Sequence, residues 1–317
     1  MTAKKVIEAI NRYSIFSISS HVGLEADALG SELALASLLK KMGKKAYVIN
    51  SDLSAPSYSF LPGIKNICHD FGRRNIQAAF IIDCPSKQRI GRLAGLMDQA
   101  LPIINIDHHL GNHNFGRVNW VDHKASSTGE MIYRLFRLTS KPLDKNDALN
   151  IYTAILTDTG SFRHANTTSA ALEICSALLR FGIKPAQTYS LIYENNSVGE
   201  ILTLGKLLSK LSFSEGNRIA WAKLNRSDFK RIGGRPEVLD RILDLSKTVA
   251  TVKVVAVFCQ NAQHSVKVSL RSKSPVNVQR IAKSFGGGGH RFASGCTIKG
   301  SLQYAERRML RKIKTAL

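Results

Sequence analysis

The sequence predicts an α/β fold in two parts. A mostly parallel sheet covered by helices is expected over residues 1–185, and a smaller α/β domain over 211–317, joined by a helical connector at 186–210. Three observations predict this. In the first half, apolar β-branched runs alternate with stretches of helical period, the pattern of parallel strands joined by helical crossovers. At 317 residues the chain exceeds the roughly 100–200 residues of a single-core domain. Between 186 and 210 ("QTYSLIYENNSVGEILTLGKLLSK") the pattern turns helical and polar, and a new series of strands and helices follows.

Taken in order, "YSIFSISSH" (13–21), "KAYVIN" (45–50), "AAFIIDC" (78–84) and "PIINIDHH" (102–109) read as strands, three of which close on His or Asp. "DALGSELALASLLKKMG" separates the first two strands with helical spacing and stops at Gly43. Further helices are expected at about 127–139, 146–157 and 168–181, the second running into "LTDTGSF". In the second part "RIAWAKL", "VKVVAVFCQ" and "HSVKVSLRSK" read as strands, and "PEVLDRILDLSKT", "NVQRIAKSF" and "YAERRMLRKIKTAL" as helices.

Composition narrows the function. Forty-five Lys and Arg against 23 Asp and Glu give a net charge of +22, which attracts a polyanionic partner and speeds its encounter. No apolar stretch approaches the ~20 residues that span a bilayer, and the first 22 residues are too polar for a signal peptide, so the expectation is a cytoplasmic protein without a membrane partner. Five scattered cysteines without CxxC spacing fit free thiols better than disulfides or a zinc ribbon.

The few acids gather at strand and helix ends: His21 with Glu25 and Asp27, then Asp83, then Asp107, His108 and His109, then Asp158. In open sheets, ligands collect beyond the carboxyl ends of the strands, where three of these groups fall. Carboxylates mixed with imidazole and no thiolate suit Mn²⁺, Mg²⁺ or a similar divalent ion rather than structural zinc. The four charges of Glu25, Asp27, Asp83 and Asp158 would balance two such ions. Each group also has a plainer reading. Glu25 and Asp27 suit a helix start, Asp83 a turn before Pro85, and Asp158 a turn in "TDTG". An Asp-His-His run after a strand is harder to account for without a metal or partners.

Together, "HVGLEADALGS", "IIDCP", "NIDHH", "LTDTGSF" and "FGGGGHRFASG" (285–295) resemble, in family order, the DHH phosphoesterase superfamily with its glycine-rich accessory domain, DHHA1. The compact layout is similar to the bifunctional oligoribonuclease and pAp phosphatase (nanoRNase) group. The resemblance implies a two-metal hydrolase with one site from His21, Glu25 and Asp83, and a second from Asp27, Asp83, His108 and Asp158. Mn²⁺ is the expected ion, with Mg²⁺ or Co²⁺ as substitutes. Asp107 would orient its neighbouring histidine, and His109 would face the scissile phosphate. Short RNA or DNA oligonucleotides and nucleotides are the implied substrates, and a homodimer is possible.

One departure stands out. The family has Asp-x-Asp where this chain has Glu25-Ala26-Asp27, and a carboxylate about 1.3 Å farther out can shift or weaken the first site.

The glycine run suits either a flexible joint or a cradle whose backbone amides meet an anion. The cradle reading groups Gly287, Gly288, Gly289, His290 and Arg291 with Ser269, Arg271 and Ser272 as a pocket for the phosphate and terminal nucleotide. The competing expectations are a RecJ-like single-strand exonuclease, which the charge favours but which usually carries a further domain, and a non-catalytic RNA-binding protein disabled at Glu25.

Overall fold

The computed structural model describes residues 3–52, 54, 56–96, 100–231, 236–262 and 264–317, in two units, Met1–Asn195 and Asn196–Leu317. The boundary lies inside the stretch read as a connector, between two helices.

In the first unit the elements run α1 (Ala3–Arg12), β1 (Ile15–Ser19), α2 (Ala26–Lys41), β2 (Lys45–Val48), β3 (Ala78–Ile82), α3 (Leu93–Leu96), β4 (Ile103–Asp107), β5 (Val118–Val121), α4 (Thr128–Leu138), α5 (Lys145–Asp158), α6 (Ser169–Leu179) and α7 (Pro185–Tyr193). The five strands pair in parallel in the order β2-β1-β3-β4-β5. Parallel strands covered on both faces are apolar on both, and β3, "AAFII", is buried throughout. Phe80 and Ile82 point to the core shared with α1, α2, α4 and α5, while Ala79 and Ile81 join Ile49, Ile90 and Leu93 on the other face.

The strand order decides where a ligand sits. From β1 the chain steps outward to β2 and then returns past β1 to β3, so the connections leave β1 and β3 in opposite directions. That switch opens a crevice at the carboxyl ends of β1 and β3. His21 and Asp83 lie just past those ends.

Two glycines let helices close over this edge. A Cβ on Gly30 in α2 would lie 2.3 Å from the Asn150 carbonyl oxygen of α5, and one on Gly129 in α4 would lie 2.5 Å from Ala154 Cβ. Glycine inside a helix costs roughly 1 kcal/mol of propensity. Here it permits the close crossing of α2, α4 and α5 that brings Asp27 and Asp158 to one place.

The second unit comprises α8 (Val198–Leu208), β6 (Ser212–Ser214), β7 (Ile219–Leu224), α9 (Arg226–Arg231), α10 (Pro236–Lys247), β8 (Val254–Ala262), β9 (Ser265–Ser272), α11 (Val278–Lys283), β10 (Gly288–His290), β11 (Ala293–Lys299) and α12 (Leu302–Lys314). Its mixed sheet has the order β10-β11-β9-β8-β7-β6. Residues alternate across it: Val266, Val268 and Leu270 pack with α11 and α12, whereas Val255, Val257 and Cys259 pack with α8 and α10. The glycine run is part of this sheet, since Gly288–His290 pairs antiparallel with Ala293–Gly295.

Candidate active site

At the switch point the chain first has to turn sharply after β3. Asp83 takes φ 50°, a left-handed conformation that Asp tolerates better than most residues, and its amide still donates to the Ile106 carbonyl at 2.9 Å. The cost is of order 1–3 kcal/mol, of the kind found at functional sites. The turned carboxylate lies 3.5 Å from His21 Nε2 and 3.6 Å from His108 Nε2.

Asp27 comes to the same place from the first turn of α2. The amides of Thr128 and Gly129 at the start of α4 donate to its two oxygens at 2.8 and 2.9 Å, and Ser31 Oγ adds a third bond at 3.0 Å. A helix start meeting a carboxylate is favourable for dipole and hydrogen bonds alike. Thr128 also donates from Oγ1 to Asp83 at 3.0 Å, tying the two acids to one residue.

Asp158 closes α5. After it, Gly160, Ser161 and Phe162 all take positive φ, which folds the chain back so that Asn166 Nδ2 donates to Asp158 Oδ2 at 3.1 Å.

His108 Nε2 lies 3.7 Å from Asp27, 3.6 Å from Asp83 and 3.7 Å from Asp158. These distances are long for hydrogen bonds. Two ligand atoms on one ion at about 2.0–2.2 Å stand roughly 3–4 Å apart, so this spacing suits a shared cation. The ligand atoms of Asp27, Asp83 and His108 all lie within 4.8 Å of one another.

Electrostatics agree with that fit. Burial, with Asp83 and Asp158 as like charges beside it, pushes Asp27 well above the ordinary carboxylate range. Burial, reinforced by Asp83 and opposed by His108, raises Asp158 to about 6. Burial also acts to raise Asp83, but the neighbouring imidazoles of His108, His21 and His109 hold it well below its usual value. Burial acts to lower His108, yet Asp158, Asp83 and Asp27 carry it well above the usual histidine range. Three buried carboxylates that raise one another's proton affinity and converge on one imidazole form a site of the kind that holds a metal ion.

His109 has a different setting. Asp107, fully buried, accepts from His109 Nδ1 at 2.7 Å on one oxygen and from Asn112 Nδ2 at 2.6 Å on the other. Asn112 is itself held by Asn105 Oδ1 at 2.8 Å. His109 and Asp158 are the more exposed members, with 12% and 19% of their side chains accessible against 4–5% for His21, Asp27, Asp83 and His108. The cluster therefore opens on their side.

Glu25 lies at the rim of the cluster. It is exposed at the N-cap of α2 and makes no capping bond, and its charge acts on both His21 and Asp158, raising each.

In the second unit, register places several of the expected substrate residues on one face. His290, Ala293 and Arg271 form one row across three strands, and Gly288, Gly295 and Ser269 form the next. Small residues thus fill the middle strand between Arg271 and His290. Arg271 also pairs with Asp240 at 2.5 Å. Ser272 is one residue out of phase: it is buried on the opposite face, where Oγ donates to the Val276 carbonyl at 2.7 Å.

Gly287 and Gly289 are required by packing, because a Cβ would lie 2.2 Å from the Gly295 carbonyl oxygen and 2.6 Å from that of Ala293. Gly288 faces open space, and Arg291 is exposed with its guanidinium over Phe292.

Sequence reasoning missed Ser31, Asn112, Thr128, Gly129 and Asn166. The cap pattern "SSTGE" was the available signal for the α4 contacts, because Ser127 caps that helix three residues before Glu130.

A doubly wound sheet with acids and imidazoles buried at its switch point defines a class, the metal-dependent hydrolases of phosphate esters. Comparison with known proteins makes the family specific. Residues 16–158 match the DHH family N-terminal domain and residues 218–317 the DHHA1 domain. The chain is 34% identical to the bifunctional oligoribonuclease and PAP phosphatase NrnA of Thermus thermophilus, over 95% of this chain and 89% of that protein. To the Bacillus subtilis protein of the same name it is 27% identical, over 93% and 92%. A solved exopolyphosphatase-related protein from Bacteroides fragilis shares the fold, with TM-score 0.88 at 24% identity over 99% of this chain and 95% of that one. The chain belongs to the DHH–DHHA1 phosphoesterase family.

Proposed function

We propose that the protein hydrolyses short oligonucleotides to mononucleotides, and 3′-phosphoadenosine 5′-phosphate to AMP, with two divalent ions, most favourably Mn²⁺. The observation that carries this reading is the buried convergence of Asp27, Asp83, His108 and Asp158 in a chain one-third identical to a bifunctional oligoribonuclease and PAP phosphatase. His21 and Asp83 would hold one ion, and Asp27, Asp83, His108 and Asp158 the other. Glu25 contributes at most at the rim.

When bound, such ions polarise phosphoryl oxygens and make water acidic enough to serve as a nucleophile near neutral pH. The protein's own part is positional and electrostatic. Asp107 accepts the Nδ1 proton of His109, which fixes the ring's tautomer and directs Nε2 as the atom that meets a phosphoryl oxygen or passes a proton. Thr128 and Gly129 keep Asp27 aimed through their amides. Within the second unit, Ser269, Arg271, Gly288 and His290 share one face of the sheet and supply donors to a nucleotide's phosphate and sugar. The proposal includes a cytoplasmic location and allows a homodimer, which light scattering at two concentrations decides.

The test is product analysis with Mn²⁺ on three substrates: 3′-phosphoadenosine 5′-phosphate, a 5′-labelled RNA dinucleotide and an RNA of about 24 nucleotides. Mononucleotide and AMP released faster than the long strand shortens is the expected result. Turnover of no substrate at any Mn²⁺ concentration overturns it.

A further inference from the structure

Short substrates leave most of the second unit's charge unexplained. Residues 196–317 hold 23 Lys and Arg against 7 Asp and Glu, and from residue 245 onward there are fourteen bases and a single acid, Glu306. That acid is engaged, accepting from Trp221 Nε1 at 2.8 Å and pairing with Lys223 at 2.9 Å.

Five of those fourteen bases lie on α12. Ala305, Met309 and Ile313 form its buried stripe, while Tyr304, Arg307, Arg308 and Arg311 lie exposed at helical spacing on the other side. No carboxylate among the described residues lies within 4 Å of those three guanidinium groups; the ion pair of the helix's basic residues is Lys314 with Glu215. Bases in the last turn are favoured by the helix dipole, which accounts for Arg311, Lys312 and Lys314. Arg307 and Arg308 precede that turn, so the dipole does not account for them.

Aromatic rings are interleaved with the charge. The Arg308 guanidinium sits 5.5 Å from the Phe285 ring centre and 5.7 Å from that of Tyr304, and it donates to Tyr304 Oη at 3.1 Å. Tyr304 is 41% exposed. Within the second unit this face is separate from the substrate residues. Val266, Val268 and Leu270 of β9 point toward α12, so Ser269 and Arg271, alternating with them, point away from it, toward Asp240 of α10.

We infer that the exposed face of α12, with Phe285 beside it, is a second nucleic-acid contact that holds the backbone and bases of a single RNA strand longer than the catalytic site needs. Guanidinium groups meet phosphates, and bases stack on the exposed Tyr304 ring, while Phe285, half-buried against the core, backs Arg308, a combination that a merely anionic partner would not call for. This goes beyond the short-substrate reading and can be separated from it, because binding is measurable without turnover.

The experiment uses the full chain in EDTA and a fluorescent single-stranded RNA of about 24 nucleotides, with anisotropy read across a salt series. The triple variant Arg307→Gln, Arg308→Gln, Arg311→Gln leaves the buried stripe intact, and its melting curve checks the fold. Affinity is expected to fall about tenfold at 0.1 M salt, with the log–log salt slope reduced by about 2, since each single-strand contact is worth roughly 0.7. Replacing the same three residues by Lys should restore the slope, and Tyr304→Leu should weaken binding without changing it. With metal added, dinucleotide turnover by the triple variant should stay within about twofold.

Unchanged affinity and slope would overturn the inference. So would an equal loss of dinucleotide turnover, or wild-type binding to phosphatidylglycerol vesicles that exceeds binding to RNA and is lost in the variant. If the wild type binds RNA in this way yet hydrolyses no dinucleotide, the hydrolase reading fails and the α12 surface stands.

Discussion

The two units differ most in how they use charge. The first holds 16 Asp and Glu against 22 Lys and Arg, and it buries Asp27, Glu32, Asp83, Asp107, Glu130 and Asp147. The second holds 7 against 23, with Asp228 as its buried acid among the described residues. Burying several like charges in one place is costly unless something positive joins them, whereas a solvated basic surface costs little and acts at a distance. The comparison teaches a division in the use of charge: the first unit spends folding energy on burying acids beside imidazoles, and the second keeps its basic surplus at the surface, where the proposed function uses it to attract and hold the substrate.

Changes in the first unit should therefore affect kcat and those in the second KM. The largest expected effect is Asp83→Ala, which removes the carboxylate shared by His21 and His108; hydrolysis should fall at least about 10³-fold, and wild-type turnover would break the comparison outright. Asp107→Asn is next, because it loses the acceptor that fixes His109, and kcat should drop about 10²-fold with KM little changed in initial-rate measurements. Arg271→Gln should raise KM about tenfold while kcat holds, and a kcat effect instead would merge the two roles.

Glu25→Asp should leave Mn²⁺-dependent activity within about threefold or raise it. Its exposed position at the rim of the cluster predicts tolerance, and a loss beyond about tenfold would place Glu25 in the ligand set.

The smallest effect concerns acid stability at the edge of the first unit. Burial works to raise Asp144, but the Lys41 ammonium at 2.8 Å and the amides it caps hold it below the usual carboxylate range. A depressed folded-state value means that this stabilisation is present above the unfolded pKa, near 4, and is lost as pH falls through the folded one. Asp144→Asn should keep the cap and cost a few tenths of a kcal/mol at pH 7, solvent screening included, with the difference vanishing in urea melts near pH 2.

Much of this was legible in the linear chain. The strands ending at His21, Asp83 and Asp107 were readable because a doubly covered parallel strand must be apolar throughout and its polar residues collect at its ends. The helix stopping at Gly43 was readable for the same kind of local reason. By contrast, β5, "VNWV", is too short and too polar to announce itself, and it forms because β4 offers an open edge. α1 passed unread as well, although Val6, Ala9 and Ile10 are buried at helical spacing.

The site divides along the same line. His21, Asp27, Asp83, His108, His109 and Asp158 could be named from their chemistry and position at element ends. Glu25 could be named too, and the structure sets it exposed at the N-cap of α2, at the rim of the cluster, where the helix start aims it. Ser272 was grouped with Arg271 by adjacency, and strand alternation separates them.

Thus the sequence by itself determined the alternation of strands and helices, the clustering of acids and histidines at their ends, and the basic surplus of the second unit. These follow from side-chain chemistry and local periodicity. Only the tertiary structure decided that Asp27 and Asp158 meet His108, that two backbone amides of α4 hold Asp27, and that α12 turns its arginines away from Arg271. The first two depend on glycine-permitted helix crossings, one of which joins α2 to α5 at Gly30 and Asn150, far apart in the chain, and the last on which face of a sheet each helix covers.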